Sequence, residues 1–214
     1  QWCMIRLREV VKIEVNVLLN ISNNAGFPWA ECSITENRLM YVSDSVGLKR
    51  SKRNTGVHRY EFELVTNDMA MTEGRGIKAK LSRAVDDTLF YVHPRLSYSQ
   101  GTVPTSGIEV VGSQSANRDI ISLASTGTWQ LLAGDYIQMP NDTKVYEVAE
   151  DTLLQSGPQN VKLTSRIRLA LTNATTIIAN NVGWYLQSDG VIEVSMEASD
   201  NQDMQLVLKA VEQL

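Results

Sequence analysis

His58-Arg59-Tyr60-Glu61-Phe62-Glu63-Leu64-Val65 decides the fold class of this chain. Successive side chains of a strand point to opposite faces, so Tyr60, Phe62 and Leu64 fall on one side and Arg59, Glu61 and Glu63 on the other. The apolar row is aromatic and aliphatic, the residue types that fit a pleated, half-buried surface. The stretch predicts a strand with one face in a core and the other in water.

Working upstream, Arg38-Leu39-Met40-Tyr41-Val42 reads as another strand. Between the two, residues 43–57 carry Ser, Gly, Asn and the cations Lys49, Arg50, Lys52 and Arg53 with few apolar side chains, which predicts an exposed loop or the tip of a long hairpin. Pro28 removes a backbone donor and suits a strand edge or loop, and Ser22-Asn23-Asn24-Ala25-Gly26 is a turn cluster. Before it, Val11, Ile13, Val15 and Val17 alternate with Lys12, Glu14 and Asn16, so a strand is expected there, with a short helix ahead of it left open. Downstream, Ile77, Leu81, Ala84 and Val85 follow helical spacing, and Thr72 or Glu73 is a starting point for one short helix despite Gly74 and Gly76. Beyond it, short apolar runs recur at 89–92, 108–111, 119–123, 136–139, 144–148, 161–171, 177–178, 184–186, 191–196 and 204–208. Many short strands separated by turn residues indicate a mainly β protein, a β-sandwich or barrel, with one short helix.

The chain has 214 residues, 43% hydrophobic and 21% charged, which is the profile of a folded protein able to bury a core. One large β domain and two small units are both compatible with that length. The working division is an N-terminal extension or arm at 1–26 and a single β-rich domain with long assembly loops at 27–214. A net charge of −4 offers no global basic field for nucleic acid. Cys3 and Cys32 lack the clustering of a zinc site and are expected as reduced thiols. Arg6, Arg8, Glu9, Lys12 and Glu14 interrupt the first apolar residues, so no export leader is expected, and no apolar run approaches the ~20 residues that span a bilayer.

Residues suited to chemistry are scattered. The two histidines, His58 and His93, have no GxSxG, catalytic-looking Cys or HExxH neighbourhood and are expected to be structural or at the surface. Asp86-Asp87, Glu150-Asp151 and Asp200 with Asp203 read as solvated turns rather than paired catalytic carboxylates or a calcium loop. Gly74-Arg75-Gly76 stands without the strand that a phosphate-binding glycine motif follows. No catalytic, metal or cofactor residue is therefore nominated. Lys49, Arg50, Lys52, Arg53 and Arg59 form the sharpest charge feature, and no aromatic interleaves the run as a single-strand stacking platform requires. Contact with an acidic neighbouring subunit is the preferred functional reading, with a solvated loop as the plain one.

One stretch goes further. Gly134-Asp135-Tyr136-Ile137-Gln138-Met139, the turn Pro140-Asn141-Asp142-Thr143, and Lys144-Val145-Tyr146-Glu147-Val148 predict a hairpin entered by a Gly-Asp turn. Followed by the 161–171 segment, this order resembles a module of distal tail and baseplate structural proteins of tailed bacteriophages. The Arg59-Tyr60-Glu61-Phe62-Glu63-Leu64 strand with its following helical segment resembles the earlier half of the same proteins. The resemblance covers roughly 27–171, and residues 1–26 have no counterpart in it. It implies a relative of the tail-tube fold that assembles as a ring around the tail axis, with no catalytic motif and no cofactor. The implied partners are copies of itself and other tail-tube, baseplate or tail-tip proteins, within a virion tail assembled in the host bacterial cytoplasm. No membrane and no specific nucleic acid are expected among them.

On this reading residues 43–57 and 98–107 reach adjacent subunits, with Tyr98 and Gln100 joining the basic group at the interface, and removal of either loop leaves the monomer folded. The competing reading is a carbohydrate- or receptor-binding sandwich using Trp129, Trp184 and Tyr185 as an aromatic platform. An enzyme built from the scattered carboxylates has little support.

Overall fold

A computed structural model of the chain describes residues 18–44, 50–196 and 203–213. The strands are β1 (Leu18–Asn20), β2 (Trp29–Asp44), β3 (Arg50–Thr66), β4 (Met69–Ala70), β5 (Thr88–Tyr91), β6 (Ile108–Val110) and β7 (Ile120–Trp129), with helix α1 (Met71–Arg83) between β4 and β5. They continue as β8 (Tyr136–Gln138), β9 (Val145–Glu147), β10 (Gln155–Lys162), β11 (Thr176–Ile177), β12 (Trp184–Met196) and β13 (Asp203–Glu212). The class is mainly β, as the alternation at 58–65 predicts. A seven-stranded sheet runs β1-β5-β12-β13-β3-β2, with β4 beside β13. It ends on two different strands and does not close, so the architecture is sandwich-like and the barrel alternative falls.

Tyr60, Phe62 and Leu64 of β3 point inward with Leu206, Leu208 and Ala210 of β13 and with Trp184 and Leu186 of β12, all buried. Phe62 meets Trp184 and Tyr91 edge to face, with centroids 5.6 and 6.1 Å apart. Burying one such ring contributes roughly 1.5–3 kcal/mol, so this layer dominates the first core. The α1 helix covers part of it through Gly74, Ile77 and Leu81, and carries Glu73 in its first turn and Lys80 and Arg83 in its last, matching the helix dipole. Gly74 is a close-approach position: a Cβ there would sit 2.6 Å from the Met204 sulfur. Of the expected N-terminal extension at 1–26, residues 1–17, with the strand expected at 11–17, lie outside the described residues, and 18–26 are described beside β5. The β1 strand pairs in parallel with β5, Ile21 is fully buried, and its carbonyl accepts from Trp29 Nε1 at 2.5 Å.

Residues 92–183 leave the sheet after Tyr91 and return at Trp184, and those two residues face each other in the β5–β12 register. The excursion is thus inserted between neighbouring strands. It holds a four-stranded sheet, β10-β7-β6-β11, the two-stranded β8–β9, and a second core around Trp129, Leu123, Ile121, Tyr146 and Val161. The two strands β8 and β9 form the partition between the cores. Ile137 pairs with Tyr146 and both face the second core, whereas Tyr136 and Val145 turn to the first. Period-two alternation in one short hairpin thereby feeds two hydrophobic clusters. The expected strand at 161–171 ends at Lys162, because Ile167 and Leu171 plug the second core individually from a connecting segment.

Candidate assembly surface

The β2–β3 hairpin changes character along its length. The β13 strand pairs with β3 only from Glu61 to Val65, whereas β2 accompanies β3 as far as the Asp44–Arg50 pair. A register shift between Arg38 and Met40 then separates a terminal ribbon, in which Met40, Tyr41, Val42, Ser43 and Asp44 face Asn54, Arg53, Lys52, Ser51 and Arg50. Five residues per strand extend about 17 Å. A two-stranded ribbon is marginal in water without a third strand or a partner. In addition, β2 is the terminal strand of the sheet, so one side of its backbone is unpaired among the described residues.

Of the nominated interface residues, Arg50, Lys52 and Arg53 lie together on this ribbon, and Lys49 lies outside the described residues. Residues 50–57 are strand, which corrects the loop alternative in favour of the hairpin. Arg59 sits further back on the outer sheet face, where its guanidinium donates to Glu61 Oε1 at 3.2 Å.

Tyr98 and Gln100 belong to the inserted unit. Tyr98 is 47% exposed and its hydroxyl donates to Asn181 Oδ1 at 3.4 Å. The backbone around them is stapled down, however. The buried Asp135 carboxylate accepts from Ser99 Oγ at 2.5 Å, the Gln100 N–H at 2.8 Å and the Leu132 N–H at 2.9 Å. Thr102 exchanges two backbone hydrogen bonds with Gln130, both 2.9 Å, and a Cβ at Gly101 would collide with the Gln130 carbonyl. This loop is part of the inserted unit's packing, so its removal would not leave the unit intact as expected.

The base of the hairpin is joined to the inserted unit by buried charge. Glu212 of β13 accepts from the Tyr60 N–H at 3.3 Å and the Val145 N–H at 2.8 Å. Lys144 Nζ lies 3.9 Å from the same carboxylate and donates to the His58 carbonyl at 2.6 Å. Asp142 holds the Lys144 N–H at 3.0 Å, the Tyr146 hydroxyl at 2.8 Å and Arg168 Nη2 at 2.5 Å. Burial raises the Glu212 carboxyl and lowers the Lys144 ammonium, and the attraction between them opposes both effects. Aromatic contacts reinforce the joint, with Tyr136 edge to face on Tyr60 at 5.8 Å and on Trp184 at 5.4 Å. Burial pushes the Tyr136 phenol up to about 12.

Both histidines have packing roles. His58 is 3% exposed, stands edge to face on Tyr60, and is lowered to about 4, first by burial and then by Lys144. His93 Nδ1 accepts the N–H groups of Arg95 and Leu96 at 3.1 and 2.9 Å, ordering a turn. The Cys32 thiol is free and burial raises it to about 11, whereas Cys3 lies outside the described residues. Trp129 and Trp184 are fully buried, the former donating its Nε1 proton to the Gly157 carbonyl at 3.0 Å, and Tyr185 packs on Phe90 at 5.3 Å. The two tryptophans are core side chains and Tyr185 is half-buried, so the three present no common aromatic platform.

Sequence reasoning missed Asp135, Asp142, Lys144 and Glu212 as structural charges. Asp135, inside the Gly134-Asp135 entry turn, and Asp142, inside the turn at 140–143, carry a local signal, and the other two do not. Among the described residues, no helix is long and apolar enough to cross a membrane. No protein-family model matches the chain, and no curated protein matches it.

Proposed function

We propose that the chain is a structural subunit of a phage tail, forming or joining a ring at the junction of the tail tube with the baseplate or tail tip. Its partners on this reading are sister copies and adjoining tube, baseplate or tip proteins, met in the host cytoplasm and retained in the virion. The observation that carries the reading is the β2–β3 ribbon, which runs beyond the last β13–β3 pair and ends on an open strand edge. A free ribbon and a long edge are aggregation hazards unless a defined neighbour takes them. The 134–148 hairpin that prompted the tail resemblance supports the reading by forming β8 and β9 at the partition between the two cores. Side chains best suited to catalysis, His58 and Lys144, support it too, since they serve the internal joint. The carbohydrate-binding reading loses its support with the burial of Trp129 and Trp184.

The test is native mass measurement of the full chain and of a variant in which residues 41–53 are replaced by Asn-Gly. The full chain is expected to form closed oligomers that bury above ~2,000 Å² per interface, in the range of obligate assemblies. The shortened chain is expected to stay single. Equal assembly of both would overturn the role of the ribbon.

A further inference from the structure

The outer face of the seven-stranded sheet carries a shallow groove of about 320 Å³. Its floor is formed by β3 and β13, and β2 and the β12 bend at Asp189 form its sides. Glu61 and Glu63 lie in it with Arg59, Lys209 and Asp189, and Glu193 borders it through an ion pair of 2.8 Å with Lys209. Arg59 is already paired with Glu61, and Lys209 also stands opposite Glu63 in the strand register. Four carboxylates against two cations leave the groove with two negative charges in excess.

The end of the β2–β3 ribbon has the reverse balance. Its paired stretch carries Arg50, Lys52 and Arg53 against Asp44 alone, two positive charges in excess. We propose that the groove is the seat for the β2–β3 ribbon of a second copy of this chain, bound head to tail. The inference rests on the assembly reading above and deepens it by naming the receiving surface. A chain's own ribbon cannot fill its own groove, because the ribbon continues the very strands that form the floor and would have to reverse direction over them. Donor and acceptor are different surfaces of one chain, so every bound copy offers a fresh ribbon, and such a contact repeats, closing into a ring when the rotation between copies completes a turn and running on as a filament when it does not. Opposite charge steers the encounter and fixes its register, so association weakens with added salt.

The experiment uses two full-length variants, Glu61→Lys/Glu63→Lys in the groove and Arg50→Glu/Arg53→Glu on the ribbon, followed by native mass and sedimentation at low and high salt. Circular dichroism verifies that each is folded, and Glu63→Lys alone serves if the double groove variant is not. Either variant alone is expected to associate at least tenfold more weakly than the parent chain. Mixing the two is expected to restore assembly, since each now offers a ribbon complementary to the other's groove. Variants that assemble like the parent would overturn the groove as the seat while leaving ring formation standing. A groove variant that fails to assemble and is not rescued in the mixture would show another occupant, such as a basic partner protein. A parent chain that remains single at every concentration would remove both this inference and the assembly reading.

Discussion

Two parts of the molecule leave the seven-stranded sheet, and they are held in opposite ways. The inserted unit at 92–183 has its own core, and its β8–β9 partition sends Tyr136 and Val145 into the first core while Glu212 and Lys144 tie the two sides together. The end of the β2–β3 ribbon has no such root: among the described residues, the part of β3 that precedes Glu61 pairs with β2 alone. The contrast teaches how to tell a limb that belongs to the body from one awaiting a partner. A limb that belongs buries apolar side chains and satisfies buried charge at its root, whereas an awaiting one continues backbone pairing beyond its last core contact.

The most severe way to break this comparison is at the joint. Glu212→Ala removes the acceptor of two backbone N–H groups and leaves the Lys144 ammonium buried beside an empty place. Breaking a buried ion pair from one side costs about 3–5 kcal/mol. The urea midpoint is expected to fall by a corresponding amount, with early loss of amide protection at Val145 and Tyr60. A loss below about 1 kcal/mol would mean that the aromatic contacts alone dock the inserted unit.

Acid should loosen the same root through His58. Burial, together with Lys144 and Arg38, lowers its imidazole to about 4 from the ordinary 6.5, and the nearby Glu36 opposes this. A depressed histidine contributes its full share above pH 6.5 and loses it as pH falls toward 4, because the unfolded chain takes up the proton first. The shift corresponds to about 3 kcal/mol over that window. Glu147 and Glu212, raised by burial, act with the opposite sign, so the readout is the difference between the parent and His58→Phe. The variant keeps a ring against Tyr60 and should lose less stability than the parent between pH 7 and 4.5 in urea melts. Identical pH slopes in the two proteins would remove His58 from the joint.

How much of this was legible depends on the range over which each residue acts. The 58–65 strand was readable because every second side chain enters the same core, and α1 because Ile77 and Leu81 repeat at helical spacing. Residues 29–37 escaped as a strand: they lie on the sheet edge, where Cys32 and Ile34 are only partly buried and the alternation is weak. The 167–171 segment misled because Ile167 and Leu171 are buried pegs, which leave the same apolar trace as a strand. Glu212 and Lys144 had no signal at all, since their meaning arises from a contact spanning 67 residues between Val145 and Glu212. The basic group was visible as charge, and its place on a paired ribbon follows only from its register with β2.

The smallest expected effect is the most discriminating. Replacing residues 41–53 by Asn-Gly joins Met40 to Asn54, a pair already in register, through the two-residue turn that suits antiparallel strands. Every β13–β3 pair, from Glu61 to Val65, is retained, as are the His58 and Tyr60 contacts at the root. No described member of the first core is removed, so the monomer's stability should stay within about 0.5 kcal/mol of the parent. Equilibrium urea unfolding of the two chains decides it. A drop beyond about 1 kcal/mol would place the ribbon among the body's own supports, and the distinction between the two limbs would then rest on the inserted unit alone.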